Sequence, residues 1–109
     1  MRWALLATLF LPCLWGAPAS HVRTILIQGF KFQPDTLTVE FGDTVTWRNA
    51  DIVPHTVTDG TNAFHSPLIR PNHTWKLVVK KAGTFHYSCT PHPNMMGILV
   101  VEKISAREP

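Results

Sequence analysis

The chain has 109 residues, which suits one small domain with a single hydrophobic core. Its formal net charge is +3 with histidine neutral, and Lys80 and Lys81 are the only adjacent basic residues. Nucleic-acid-binding proteins present clustered basic surfaces, so this mild, scattered charge excludes that class and predicts no nucleic-acid partner.

Residues 1–19 are typical of an export signal. Arg2 precedes an apolar run from Trp3 to about Trp15, and Ala17-Pro18-Ala19 matches a small-x-small cleavage pattern. The run is too short for a comfortable membrane span. We therefore predict a cleaved signal peptide over residues 1–19, a periplasmic location and no membrane span in the mature chain. An uncleaved anchor is the alternative.

The rest of the chain is patterned as short strands. Apolar and polar residues alternate with period two in runs separated by Gly, Pro, Asn and Asp, and no window has a helical period. We predict an all-β single domain over residues 20–104, a two-sheet Greek-key β-sandwich with antiparallel sheets, and a loose tail over 105–109. About seven strands are expected, near residues 21–28, 36–41, 44–49, 55–59, 74–80, 84–89 and 97–104.

Cys89 is the single cysteine of the predicted mature chain, because the other, Cys13, lies in the signal. Such a thiol in an exported protein is buried and inert, paired with another chain or bound to a ligand. Its neighbours favour a ligand, since Cys89, His92 and Met95 form C-x-x-H-x-x-M between two predicted strands. A tight loop there turns a thiolate, an imidazole and a thioether toward one point.

These donors favour copper over zinc. Thiolate and thioether sulfur prefer soft ions such as Cu(I), and imidazole also suits Cu(II). A Cys and two His with a weak axial Met form a blue-copper site. A structural zinc site normally uses four Cys or His ligands, and one mature cysteine makes that set unavailable.

A blue-copper site needs a second histidine, and His55 in "VPHTV" is the best candidate because it ends a long connection. Met95 is preferred over its neighbour Met96 as the axial donor, since three residues from His92 make a compact turn. The remaining histidines are expected at the surface: His21, His65, His73 and His86.

Three stretches carry a family resemblance: "GFKFQPDTLTVEFGDTVTWRNAD", "VPHTV" and "GTFHYSCTPHPNMMGILVVE". With them, nearly the whole mature chain resembles the cupredoxins, the plastocyanin/azurin group, and most of all their amicyanin-type members. The two residues between the ligand His and Met are the amicyanin-type feature. The resemblance implies that His55, Cys89 and His92 are equatorial ligands of one type 1 copper ion and that Met95 is axial.

The resemblance also implies function. We expect a monomeric electron carrier, not an enzyme, that exchanges single electrons with redox proteins such as a dehydrogenase and a c-type cytochrome. Asn49 and Thr56 are expected to hold the ligand residues in place without binding copper themselves. Family members often have Asn at the position of Thr56, where it ties the two ligand loops together. The expected docking patch for redox partners around His92 is Pro54, Pro91, Pro93 and Met96.

Two other functions are considered, one with the same copper ligands and one with His21 as a ligand. A periplasmic copper carrier or storage protein is the main alternative, although such proteins favour open sites rich in methionine. A copper enzyme with His21 at its mature N-terminus is the other, although the chain is small for a substrate platform.

Overall fold

A computed structural model describes residues 20–104. The predicted signal peptide, 1–19, and the predicted loose tail, 105–109, lie outside the described residues. Every regular element within the described part is a strand, and none of it forms a helix that could cross a membrane. The eight strands are β1 Val22–Gln28, β2 Lys31–Gln33, β3 Thr36–Glu40, β4 Thr44–Asn49, β5 Thr58–Asp59, β6 Thr74–Val78, β7 Gly83–Cys89 and β8 His92–Glu102.

The strands form two four-stranded sheets, in the orders β2-β1-β4-β6 and β3-β8-β7-β5. The predicted all-β, two-sheet sandwich is confirmed. The prediction that the sheets are antiparallel was wrong in part, because β1 pairs with β4 and β3 pairs with β8 in parallel. Alternating side chains reveal which face of a strand is buried but carry no information on the direction of its neighbour.

The largest differences between the observed and the predicted strands are at three places. The three-residue β2, with Phe32 buried, is one strand more than the seven predicted. β5 begins at Thr58, and His55 precedes it in an isolated bridge to Ile69. β8 begins at His92 instead of Gly97, because the prolines beside His92 lie at a turn and an irregular strand start, where they disturb little pairing.

The core lies between the sheets and consists of alternate residues from both inner faces. Trp47 and Tyr87 are at its centre, with ring centroids 5.6 Å apart in an edge-to-face arrangement. Gly97 is required beside them, since a Cβ there would overlap the Tyr87 ring. Tyr87 and Cys89 share the buried face of β7 and His86 faces outward, as the alternation predicts.

Strand register gives the sandwich two distinct ends. The C-termini of β1, β4 and β7 and the start of β8 lie at one end, which contains Asn49, Cys89 and His92 and is called the Cys89 end. The start of β4 and the end of β8 lie at the other, called the Glu102 end. The strands therefore bring residues far apart in sequence together at the Cys89 end.

Candidate metal centre

Three side chains predicted as ligands converge at the Cys89 end. Ligand atoms of His55, Cys89 and His92 all lie within 4.8 Å of one another. The Cys89 Sγ is 3.6 Å from Nδ1 of His55 and 3.6 Å from Nδ1 of His92. His55 and Cys89 are fully buried, whereas His92 is partly exposed. One side of the cluster is thus closed by the core and the other reaches solvent.

Backbone pairing fixes each of the three residues. Cys89 ends β7 and is the register partner of His92, and the register shifts between Ser88 and Cys89. Such an irregularity re-aims a side chain next to a site. His55 is held by reciprocal hydrogen bonds with Ile69: its N–H donates to the Ile69 carbonyl at 3.1 Å, and the Ile69 N–H returns the bond at 2.7 Å.

Asp51 orients the ring of His55. The His55 Nε2 lies 2.8 Å from Oδ2 of Asp51. Burial raises the pKa of the Asp51 carboxyl, but hydrogen bonds from Phe30, Gly29 and His55 outweigh it and leave that pKa below its usual value. A carboxylate only accepts hydrogen bonds, so Nε2 carries a proton toward Asp51, and Nδ1 is the ring atom that faces Cys89.

The turn between β1 and β2 is bound to the same carboxylate. The N–H groups of Gly29 and Phe30 donate to Asp51 at 2.7 and 3.0 Å. The Phe30 ring then stands edge-on to both histidines, with centroids 5.3 Å from His55 and 4.9 Å from His92. Sequence reasoning missed Asp51 and Phe30. An acidic residue four positions before a ligand histidine was the available signal for Asp51.

Asn49 supports His55 indirectly, through the loop that carries it. The buried Asn49 amide donates to the carbonyls of Val53 and Ile69 at 2.8 and 2.9 Å, and its Oδ1 accepts the Asp51 N–H at 2.9 Å. Asn49 therefore fixes the connection before His55 and the residue that pairs with His55.

Thr56 contacts the Cys89 segment through both its backbone and its side chain. Its N–H donates to the Cys89 Sγ at 3.3 Å, and its Oγ1 accepts the Thr90 N–H at 2.8 Å. The shorter threonine side chain thus still ties the two ligand segments together.

The two methionines face opposite ways, as neighbours in a strand do. Met95 is buried close to His55, Cys89 and His92, while Met96 is 66% exposed. Met96 lines a shallow groove together with Phe30, Lys31 and Asn94. The other members of the predicted docking patch, Pro54, Pro91 and Pro93, are exposed.

The donor set fits a metal ion. At typical thiolate and imidazole bond lengths of about 2.3 and 2.0 Å, an ion separates sulfur from nitrogen by about 3.5 to 3.8 Å, which matches the spacing here. One thiolate, two imidazoles and a thioether suit copper better than zinc. Within residues 20–104 this is the sole such His/Cys/Asp/Glu group, and the other four histidines are exposed.

Relatives of known class agree with this chemistry. Residues 20–102 match the model of the copper binding proteins, plastocyanin/azurin family. The chain belongs to this family. The amicyanin of Paracoccus denitrificans is 40% identical over 81 residues, a match that spans 70% of this chain and 62% of that relative. Amicyanin-alpha of Methylorubrum extorquens is 36% identical over 104 residues, spanning 91% of this chain and 87% of the relative.

A solved structure of the Cu(I) form of an amicyanin variant is also similar. It superposes with a TM-score of 0.71 and 36% sequence identity, covering 78% of this chain and 86% of that one. The protein is therefore a copper-binding cupredoxin of the amicyanin type, and copper is its cofactor.

Proposed function

We propose that this protein is an exported electron carrier that passes single electrons between redox proteins, with His55, Cys89, His92 and Met95 as its copper ligands. The observation that carries the proposal is the convergence of three ligand atoms within 4.8 Å at the Cys89 end, with one imidazole partly exposed. Bound copper would supply the chemistry, a one-electron change between Cu(II) and Cu(I). The proposed role is that of a carrier and not of an enzyme.

The protein supports this role by holding the ligand side chains rigidly. His55 is held by Asp51 and Ile69, and the Cys89 sulfur accepts the Thr56 N–H. Both side chains are fully buried, so neither can move without disturbing the core. Ligands fixed in this way change position little between oxidation states, which keeps the reorganisation that accompanies electron transfer small.

His92 is the proposed port for electrons. It is partly exposed, lies against the exposed Phe30 ring, and is flanked by the exposed Pro91 and Pro93. Weak redox encounters use small interfaces, and an apolar collar of this kind favours brief contact. We infer that Pro54 and Met96 complete the patch, and that a dehydrogenase and a c-type cytochrome are the classes of donor and acceptor.

Location and organisation form part of the proposal. The apolar run before Ala17-Pro18-Ala19 supports export to the periplasm after cleavage of residues 1–19. We infer a monomeric mature protein with its copper domain at 20–104 and a loose tail at 105–109.

Electron exchange tests the port. Met96→Lys should slow stopped-flow electron exchange with a c-type cytochrome while leaving the visible spectrum unchanged, because it adds a charge to the patch without touching a ligand. Val78→Lys is the matched control, since Val78 is 47% exposed on β6 and pairs with Thr44 at the Glu102 end. Equal slowing by both variants would contradict docking at the Cys89 end.

Copper transfer tests the storage or carrier alternative. An electron carrier keeps its metal, and complete burial of His55 and Cys89 supports slow release. Incubation of the copper-loaded protein with a Cu(I) chelator should therefore remove copper far more slowly than electrons exchange. Release as fast as electron exchange would favour the copper carrier.

A further inference from the structure

Three threonine hydroxyls meet beside Cys89. The Oγ1 atoms of Thr56 and Thr58 are 3.2 Å apart, those of Thr56 and Thr90 are 3.2 Å apart, and those of Thr58 and Thr90 are 3.0 Å apart. Thr56 follows His55 in sequence, Thr58 begins β5, and Thr90 follows Cys89. The cluster therefore joins the two ligand segments through a third residue, Thr58, which is not itself next to a ligand in sequence.

Donor and acceptor counting gives the ring a direction. Thr56 donates its single hydroxyl proton to Thr90. Thr90 then donates to Thr58, and Thr58 donates back to Thr56, since each hydroxyl has one proton. The two lone pairs of the Thr56 Oγ1 are filled by the Thr58 hydroxyl and the Thr90 N–H. Hydrogen bonds arranged in a closed chain polarise and strengthen one another.

Thr56 holds Cys89 from two sides, by its N–H to Sγ and by its Oγ1 to the following amide. The second bond depends on where the Thr56 hydroxyl points. Without Thr58, the buried Thr56 side chain loses one fixed partner and Thr90 loses its acceptor. Thr58 thus acts on the ligand through Thr56 and Thr90.

We propose that Thr58 is a positioning residue that completes a hydroxyl ring and so fixes the Cys89 sulfur for copper. This inference rests on the proposed function for its consequence at the metal, but the ring itself is a property of the metal-free chain. Thr58 thus supports Thr56, the residue at the position where many family members have Asn.

Amide exchange of the metal-free protein tests the ring. Thr58→Val keeps the branched shape and removes the hydroxyl, so the Thr90 amide should exchange about five- to tenfold faster, the factor expected for one weakened hydrogen bond. Thr58→Ser should restore the slow rate. Thr84→Val, at an exposed position of β7, should leave it unchanged. An unchanged Thr90 rate in Thr58→Val overturns the proposal.

Copper measurements test the consequence for the ligand. Thr58→Val should weaken copper binding about tenfold, the lower end for residues behind a metal ligand, because water reaches the exposed Thr90 side of the ring. It should also shift the thiolate band and the reduction potential, and Thr58→Ser should restore both. A blue wild type with a Thr58→Val variant identical to it overturns the Thr58 role alone. A colourless wild type overturns the proposed function and with it this consequence, whereas the amide exchange still decides the ring.

Discussion

Two aspartates at opposite ends of β4 both accept hydrogen bonds from backbone N–H groups. They differ in the histidine that each one contacts. At the Glu102 end, Asp43 accepts the His21 N–H at 2.9 Å and the Glu40 N–H at 3.0 Å. At the Cys89 end, Asp51 accepts the N–H groups of Gly29 and Phe30. Each carboxylate thus ties a neighbouring segment to its end of the sandwich.

The histidine beside each carboxylate marks the difference. The His21 side chain is 65% exposed and its Nδ1 is 3.7 Å from Asp43, whereas the His55 side chain is fully buried with Nε2 2.8 Å from Asp51. Solvent competes for the first contact and not for the second. A fold-stabilising carboxylate becomes part of a metal site when it also fixes the proton on a buried imidazole.

The largest expected difference between variants of the two aspartates is in copper affinity. Asp43→Ala and Asp51→Ala should each cost about 2 kcal/mol of unfolding free energy without metal, the scale of hydrogen bonds to a charged group. Asp51→Ala alone should also lower copper affinity, by about 10- to 100-fold, because the His55 ring loses its orienting partner. Urea unfolding and copper competition titrations measure the two quantities. Equal affinities in both variants would contradict the comparison.

The dependence of unfolding free energy on pH should be similar for the two aspartates. Burial raises the pKa of the Asp43 carboxyl, but the His21 and Glu40 N–H groups and the nearby His21 and Arg23 charges leave it below its ordinary 3.8. A lowered pKa stabilises the fold above 3.8, and this contribution is lost as the pH falls below that value.

Asp43→Asn should therefore flatten the loss of stability below pH 3.8, measured by urea unfolding of the metal-free protein. Asp51→Asn should do the same, since hydrogen bonds also lower the pKa of that carboxyl. The exposed Asp35 provides the control, as Asp35→Asn. If Asp43→Asn lost stability with falling pH as steeply as the wild type, the hydrogen bonds to the Asp43 carboxyl would not favour its ionised form.

Backbone strain gives the smallest expected difference between the ends. Gly42, at the Glu102 end, has φ +94° with open space where a Cβ would lie, so Gly42→Ala should cost about 1 kcal/mol from backbone conformation alone. Phe30, at the Cys89 end, bears the same kind of strain at φ 58°. Phe30→Gly should therefore be about 1 kcal/mol more stable than Phe30→Ala. Equal stability of that pair would mean that Phe30 is unstrained.

Local patterns were sufficient to predict much of the site. The C-x-x-H spacing and the strand before it place Cys89 and His92 together, and alternation separates Met95 from Met96. His55 was predicted from its position at the end of a long connection, and the structure brings it to the same cluster. These predictions work because each depends on residues close in sequence or on strand periodicity.

Long-range contacts were not accessible in the same way. Phe30 reaches the histidines because its turn is bound to Asp51, 21 residues later. The Thr58 hydroxyl matters through Thr90, 32 residues away. The parallel pairing of β1 with β4 depends on how the chain crosses between sheets, which side-chain alternation leaves undetermined.

The most direct measurement is the visible absorption spectrum of the protein after addition of Cu(II). We predict an intense blue band from the Cys89 thiolate bound to copper, present in the wild type and absent in Cys89→Ser. A pale protein that still binds one copper ion tightly would contradict the type 1 site, and would do so whatever the fold.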